Sequence, residues 1–130
     1  MTNKVKILDC TLRDGGYFTS WDFEMPFVRE VISSLNYSKV DVIEIGYKSP
    51  KKKDSHKFEG RFKYCNDSLL DFIPNNKGST QYACMIDASD FIKDKAPNLD
   101  LLDVTISDRD TTPVSWIRVA SYNSSILNAT

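Results

Sequence analysis

Between Leu8 and Gly16 the chain reads LDCTLRDGG, and Asp9, Arg13 and Asp14 fall within six residues, directly after an apolar run. A guanidinium is a fixed fork of donors, suited to an oxygen that gains negative charge during a reaction. Two carboxylates and a guanidinium at the end of a strand are awkward to bury. They make either a surface turn with no chemistry or the floor of an active site. Glu44 raises the same question. It stands between Ile43 and Ile45, where a buried carboxylate costs several kcal/mol unless it is paired or ligated. A purely structural network from Glu44 to Arg13 or Arg118 is the competing explanation.

The elements that must position these groups follow from local patterning. Val5 to Leu12 reads as a short strand ended by Asp14-Gly15-Gly16. Pro26 opens a helix in which Phe27, Val28, Val31, Ile32 and Leu35 recur at helical spacing. Val40 to Tyr47 is a second strand, apolar on both faces apart from Asp41 and Glu44, as in a buried parallel sheet. After the polar loop KSPKKKDSHKFEGR, Asn66 caps a helix through Leu69, Leu70 and Phe72, which Pro74 closes. Gln81 to Asp87 is the third strand, SDFIKDK a short helical piece, and Ser115 to Ser121 the fourth strand. NLDLLDVTIS reads equally as a helix end or a strand. Strands alternating with helices imply an α/β fold with a parallel sheet and right-handed crossovers.

Side chains alternate along a strand. Asp9, Thr11 and Arg13 are therefore expected on one face of the first strand. Glu44 shares a face with Val42 and Gly46, Asp87 with Ala83 and Met85, and Arg118 with Trp116 and Ala120. Charged residues thus gather toward the C-terminal ends of the strands, where open sheets and barrels alike bind ligands.

Composition narrows the classes. With 130 residues, 41% hydrophobic and 27% charged, the chain reads as one ordinary globular domain, and a net charge of −1 argues against a general polyanion binder. No apolar run is long enough to cross a bilayer, and the N-terminus lacks the apolar core of a signal peptide, so the expected setting is the cytoplasm. Cys10, Cys65 and Cys84 form no C-x-x-C pair; an odd count suits a reducing compartment, and Cys10 and Cys84 read as small buried hydrophobes.

The motifs DCTLRDGG, VIEIGY and IRVA, in that order, resemble the pyruvate-aldolase and hydroxymethylglutaryl-CoA lyase family of metal-dependent barrels, nearest to its 4-hydroxy-2-oxovalerate aldolase-like members. The resemblance runs from about Ile7 to about Ala120. It implies the first four units of a parallel (β/α) barrel of TIM type within residues 1–120. It also implies aldol or lyase chemistry next to the carbonyl of a short 2-oxo acid, through an enolate. By motif, Asp14 matches a ligand of a divalent metal (Mg, Mn or Zn), Arg13 the group that steadies the enolate oxygen, and Glu44 the anchor of that arginine. Tyr17 stands where the aldolases carry an acid–base histidine. Tyrosines ordinarily titrate near ~10 and act as bases at neutral pH only with help. Asp87, Arg118 and Lys48 are the candidate substrate-binding residues.

The sequence departs from that family in its histidines. The family closes its metal site with an H-x-H pair, whereas this chain has only His56, in a polar loop. A barrel of this type takes roughly 250 residues. The expectation is therefore an N-terminal fragment, inactive alone: a truncated frame, a frameshift product or half of a split enzyme. Residues 121–130 are read as a non-native or disordered tail. The expected partners are a small 2-oxo acid and either a C-terminal half or a second copy, with no nucleic acid and no membrane. The alternative is a non-catalytic half-barrel that binds an anionic, phosphorylated ligand through Lys48, Lys51, Lys52, Lys53 and Lys57, five lysines within ten residues.

Overall fold

The apolar run at Val5 forms far less strand than its composition predicts. In a computed structural model, which describes residues 4–51, 57–73, 79–106, 108 and 110–122, β1 is only Leu8–Asp9 and is followed at once by helix α1, Thr11–Thr19. The Asp9 carboxylate is the reason. It accepts from the Thr11 backbone N–H at 2.9 Å and the Thr11 hydroxyl at 3.0 Å, a local side-chain bond that competes with strand pairing. Leu12 and Gly16, one helical turn apart, are the buried face of α1. Arg13 and Asp14 are therefore on a helix, and Thr11 and Arg13 do not share a strand face with Asp9. Of the sequence features above, Lys52, Lys53, His56, Pro74 and tail residues 123–130 lie outside the described residues.

The next two elements agree closely with the sequence reading. Helix α2, Met25–Tyr37, carries its proline in the first turn and buries Val28 and Ile32. Strand β2, Val42–Tyr47, is buried at every residue. A tight turn, Arg61–Lys63, then presses on β2. A Cβ at Gly46 would come within 2.1 Å of the Phe62 carbonyl oxygen, so only glycine admits this approach. Asn66 caps the short helix α3, Asp67–Leu70, by accepting from the Leu69 N–H at 3.0 Å. The helix stops before Phe72.

Strand β3, Gln81–Asp87, has the predicted bounds. SDFIKDK is helical only over its first three residues, Ser89 to Phe91, in a single 3₁₀ turn. After one tight turn, Ala88–Phe91, it forms the hairpin β4 (Ile92–Lys93) and β5 (Ala96–Pro97). Asp94 and Lys95 between them both take left-handed φ, 53° and 65°, the backbone a two-residue hairpin turn requires. The ambiguous segment resolves as helix α4, Leu99–Thr105, capped by Asn98, and β6 is Val114–Ala120.

The main sheet has the order β1-β2-β3-β6, with every pair parallel. It is open: the described strands close no barrel. The core lies around β2 and β3, where Ile43, Ile45, Tyr82 and Cys84 meet Leu12, Val28, Ile32, Phe62 and Leu70. Among the described residues no helix is long and apolar enough to cross a membrane.

Candidate functional site

Glu44, in the middle of β2, is fully buried. A carboxylate there must be satisfied from within, and three side chains supply the donors. Arg13 Nε donates to Oε2 at 2.8 Å, Arg118 Nη1 donates to both oxygens at 3.0 and 2.9 Å, and the Cys10 thiol donates to Oε2 at 3.3 Å. Arg118 reaches Glu44 from β6 by crossing β3. The β3 residue level with Glu44 is Ala83, whose small side chain leaves room for the crossing. Glu44 thus gathers α1, β6 and the residue joining β1 to α1 around one charge.

This network bears on how Arg13 and Cys10 titrate. Burial pulls the Arg13 guanidinium down, but hydrogen bonding to Glu44 and its charge outweigh that, and the net shift is upward. Burial, then the hydrogen bond and charge of Glu44, push the Cys10 thiol above its ordinary value. Cys10 is therefore a half-buried member of the network, not the plain hydrophobe its apolar neighbours suggested. Cys65 and Cys84 are fully buried.

Asp14 pairs with Arg13 Nη1, and its side chain is 59% exposed against 13% for Arg13. The carboxylate is open to solvent while the guanidinium is held beneath it. Gly15 and Gly16 do not loosen the backbone here, since no glycine among the described residues has positive φ. A Cβ on Gly16 would instead meet Trp21 Cδ1 at 2.0 Å. The close approach at Gly16 is made by the Trp21 indole.

Trp21 locks the helix that carries Arg13. Its indole N–H donates to the Arg13 carbonyl at 3.1 Å, and its backbone N–H donates to the Gly16 carbonyl at 3.0 Å. Ser20 and Trp21 both take left-handed φ, 54° and 56°, an uncommon and costly state for so bulky a side chain. The Trp21 ring lies edge-on to Tyr17 and Tyr47, at 4.9 and 5.6 Å between centroids. Lys63 Nζ sits 4.4 Å from the Trp21 centroid and 4.1 Å from that of Tyr47, a cation held against two aromatic faces.

Tyr17 and Tyr47 share a hydrogen bond of 2.8 Å between their hydroxyls. Burial, with the Tyr17 hydrogen bond second, drives the Tyr47 phenol well above its ordinary value, so it stays protonated across neutral pH. Both tyrosines line a cavity of about 330 Å³ at the C-terminal ends of β2 and β3, together with Ser49, Glu59, Lys63, Asp87 and Ser89. Asp87 accepts from the Ser89 N–H at 2.9 Å and the Ser89 hydroxyl at 2.7 Å. Lys48 is buried and lines a neighbouring cavity instead.

The structure thus unites Arg13, Asp14, Glu44 and Arg118 in one network and places Tyr17 and Asp87 on the cavity beside it. Arg118 spends its Nη1 on Glu44. Sequence reasoning missed Trp21, Tyr47 and Lys63. The signal for the first was GGYFTSW, where an aromatic follows a glycine pair closely enough to fold back on it. Lys63 had no local signal. Among the described residues no group of three or more His, Cys, Asp or Glu side chains is placed to hold a metal ion. Asp14 is a lone candidate ligand, and these residues do not by themselves make a metal centre.

No family model and no curated protein matches the sequence. Among solved structures, the chain is similar to the N-terminal domain of a putative aldolase from Bacteroides vulgatus, with a TM-score of 0.75 and 33% identity. The match covers 96% of this chain and 38% of that one. The fold is aldolase-like, and the chain spans well under half the length of the protein it matches.

Proposed function

We propose that this chain is the N-terminal, enolate-stabilising part of an aldolase or lyase that makes or breaks a carbon–carbon bond next to the carbonyl of a short 2-oxo acid. The four parallel strands are then the first four of a (β/α) barrel. The observation that carries the reading is Arg13, held from below by the buried Glu44 while its Nη1 pairs with the exposed Asp14.

In aldol cleavage a hydroxyl proton leaves, the adjacent carbon–carbon bond breaks, and its electron pair moves onto the carbonyl oxygen as an enolate. A guanidinium fixed in advance stabilises that oxygen without having to reorganise. Glu44 sets the plane of the Arg13 fork, and Arg118 secures Glu44 from the other side. The Tyr17–Tyr47 pair is the proton relay, with Tyr47 held protonated and Tyr17 exposed to the cavity. Asp87 accepts a substrate hydroxyl there. Asp14 would be a ligand of a divalent cation, which would supply positive charge to the developing enolate oxygen.

The test is exchange of pyruvate methyl protons with deuterium, followed by proton NMR on the full-length protein with Mg, Mn or Zn supplied. Arg13→Lys keeps the charge but loses the fork, and should slow exchange about 100-fold or more, as removal of one oxyanion donor does elsewhere. Undiminished exchange in that variant, or none in the parent protein with any of the three metals, refutes the reading.

A further inference from the structure

The cavity shared by Tyr17 and Tyr47, of about 330 Å³, is lined by more polar groups than the enolate step uses. Among its described lining residues only Pro50 lacks a polar side-chain atom. Two carboxylates stand out. Glu59 accepts the Tyr64 hydroxyl on Oε2 at 3.1 Å, and Asp87 accepts both Ser89 bonds on Oδ1. Each carboxylate keeps a second oxygen that these bonds do not use. The Lys63 ammonium is drawn onto the Trp21 and Tyr47 rings.

Ser49 adds a hydroxyl with nothing to bond. The residue is only 5% exposed, and its Oγ is the one buried side-chain nitrogen or oxygen among the described residues that lacks a hydrogen-bond partner. An orphaned buried hydroxyl loses its hydration with no return. Ser49 also borders the neighbouring cavity at Lys48, but its closest associates face the tyrosines. Tyr47, next but one before it, lines the Tyr17–Tyr47 cavity and not the other. So does Lys63, whose carbonyl accepts from the Ser49 N–H at 3.2 Å.

We infer that this cavity binds a neutral polyhydroxylated chain through Glu59, Asp87 and Ser49, and that the aldehyde joined to or released from the pyruvate enolate is of the sugar class. A hydroxyl donates to a carboxylate and exchanges hydrogen bonds with a serine, so a chain with hydroxyls on successive carbons satisfies all three residues. An alkyl chain would strip water from two carboxylates with no return. An anionic tail would meet them as like charges. A cationic one would meet Lys63, already on the ring faces that attract a cation. The volume lies at the low end for small-molecule sites, about 300–1,000 Å³, which suits a chain of a few carbons. The identity of the aldehyde rests on the aldolase reading; the hydroxyl site does not. In the addition direction pyruvate gives up a methyl proton and the enolate carbon bonds to the aldehyde carbon. The aldehyde oxygen then takes up a proton and becomes a hydroxyl, so the atoms balance and no oxidant or reductant is needed.

The experiment titrates erythritol into the isotope-labelled full-length protein and follows backbone amide shifts, with 1-butanol and erythritol 4-phosphate as comparisons. Saturable shifts centred on Ser49, Glu59 and Asp87 are expected from erythritol, and at least about tenfold weaker binding from either comparison. Ser49→Ala and Glu59→Gln should each weaken erythritol binding about fivefold, the scale of one hydrogen bond lost or stripped of its charge. Lys93→Gln, on the exposed hairpin, should leave it unchanged. With pyruvate and the metal that supports proton exchange, D-erythrose should react with a kcat/KM at least about tenfold above that of acetaldehyde, and Ser49→Ala should lower that ratio about fivefold. Non-saturating shifts, Ser49→Ala and Glu59→Gln variants that bind like the parent, or an equal loss in Lys93→Gln would each overturn the proposal. So would 1-butanol or the phosphate ester binding as tightly as erythritol, or acetaldehyde reacting as well as D-erythrose. Pyruvate exchange without erythritol binding would refute this inference alone, whereas erythritol binding without pyruvate exchange would refute the aldolase reading and leave the hydroxyl site standing.

Discussion

Replacing Glu44 by glutamine tests the centre of the site. The side chain keeps its shape and one acceptor oxygen but loses the charge that three donors converge on. Removing one partner of a buried ion pair costs about 3–5 kcal/mol when the survivor stays buried. Here the survivors are partly relieved. Arg118 is 39% exposed at its side chain, and Arg13 retains Asp14. Solvent screening of that kind reduces the loss, to about 2–3 kcal/mol. With a urea dependence of about 2 kcal/mol per molar, the unfolding midpoint should fall by about 1 M or more at unchanged slope. Arg118→Met should cost less, about 1–2 kcal/mol, because Glu44 keeps Arg13. The double variant should lose about 1 kcal/mol less than the sum of the two. A midpoint within about 0.2 M of the parent for Glu44→Gln, or strict additivity with Arg118→Met, would show that Glu44 does not anchor the arginines.

Other outcomes follow from the same structure. Tyr47 is raised above its ordinary 10.0 by burial and by Tyr17. The unfolded chain therefore gives up this proton first, and the stability associated with it is complete below pH 10 and lost as pH rises beyond it. Urea midpoints measured across the alkaline range should fall less steeply in Tyr47→Phe than in the parent; identical slopes would contradict the assignment. Gly15→Ala meets only ordinary contact, 3.6 Å from Phe23 Cζ, in a helix. It should stabilise by about 0.5–1 kcal/mol in thermal unfolding. Gly16→Ala, one residue on, drives a methyl into the Trp21 indole and should destabilise by about 1–3 kcal/mol despite its better helix propensity. Trp21→Phe removes the donor to the Arg13 carbonyl while keeping an aromatic ring, and should lower the pyruvate exchange rate of the full-length protein more than its melting temperature. Equal proportional losses would make Trp21 a packing residue only.

Most of the parallel sheet was legible in the chain itself. β3 has its predicted ends, and β2 and β6 are displaced by no more than two residues; β2 and β3 are largely apolar runs bounded by turn residues, which have few other ways to be buried. α2 was equally plain, since Pro26 and a 3.6-residue period act in the same direction. The failures were local competitions that composition cannot rank. The Asp9 side chain ended β1 early, and the left-handed pair Asp94–Lys95 made a hairpin where a helix was expected.

The site divides the same way. That Arg13, Asp14 and Glu44 are unusual for their surroundings is a property of the sequence, since charges set beside apolar runs need partners wherever they fold. Which partners they take belongs to the tertiary structure. Arg118 is 74 residues from Glu44, and it arrives only because β6 lies beside β3 and Ala83 lets it pass. Trp21, Tyr47 and Lys63 stack only because α1 ends in two strained residues and Gly46 lets the Phe62 turn close on β2. Sequence alone determines which groups must be satisfied. The order of the strands decides which groups can reach one another, because a hydrogen bond spans about 3 Å and no local pattern measures that distance.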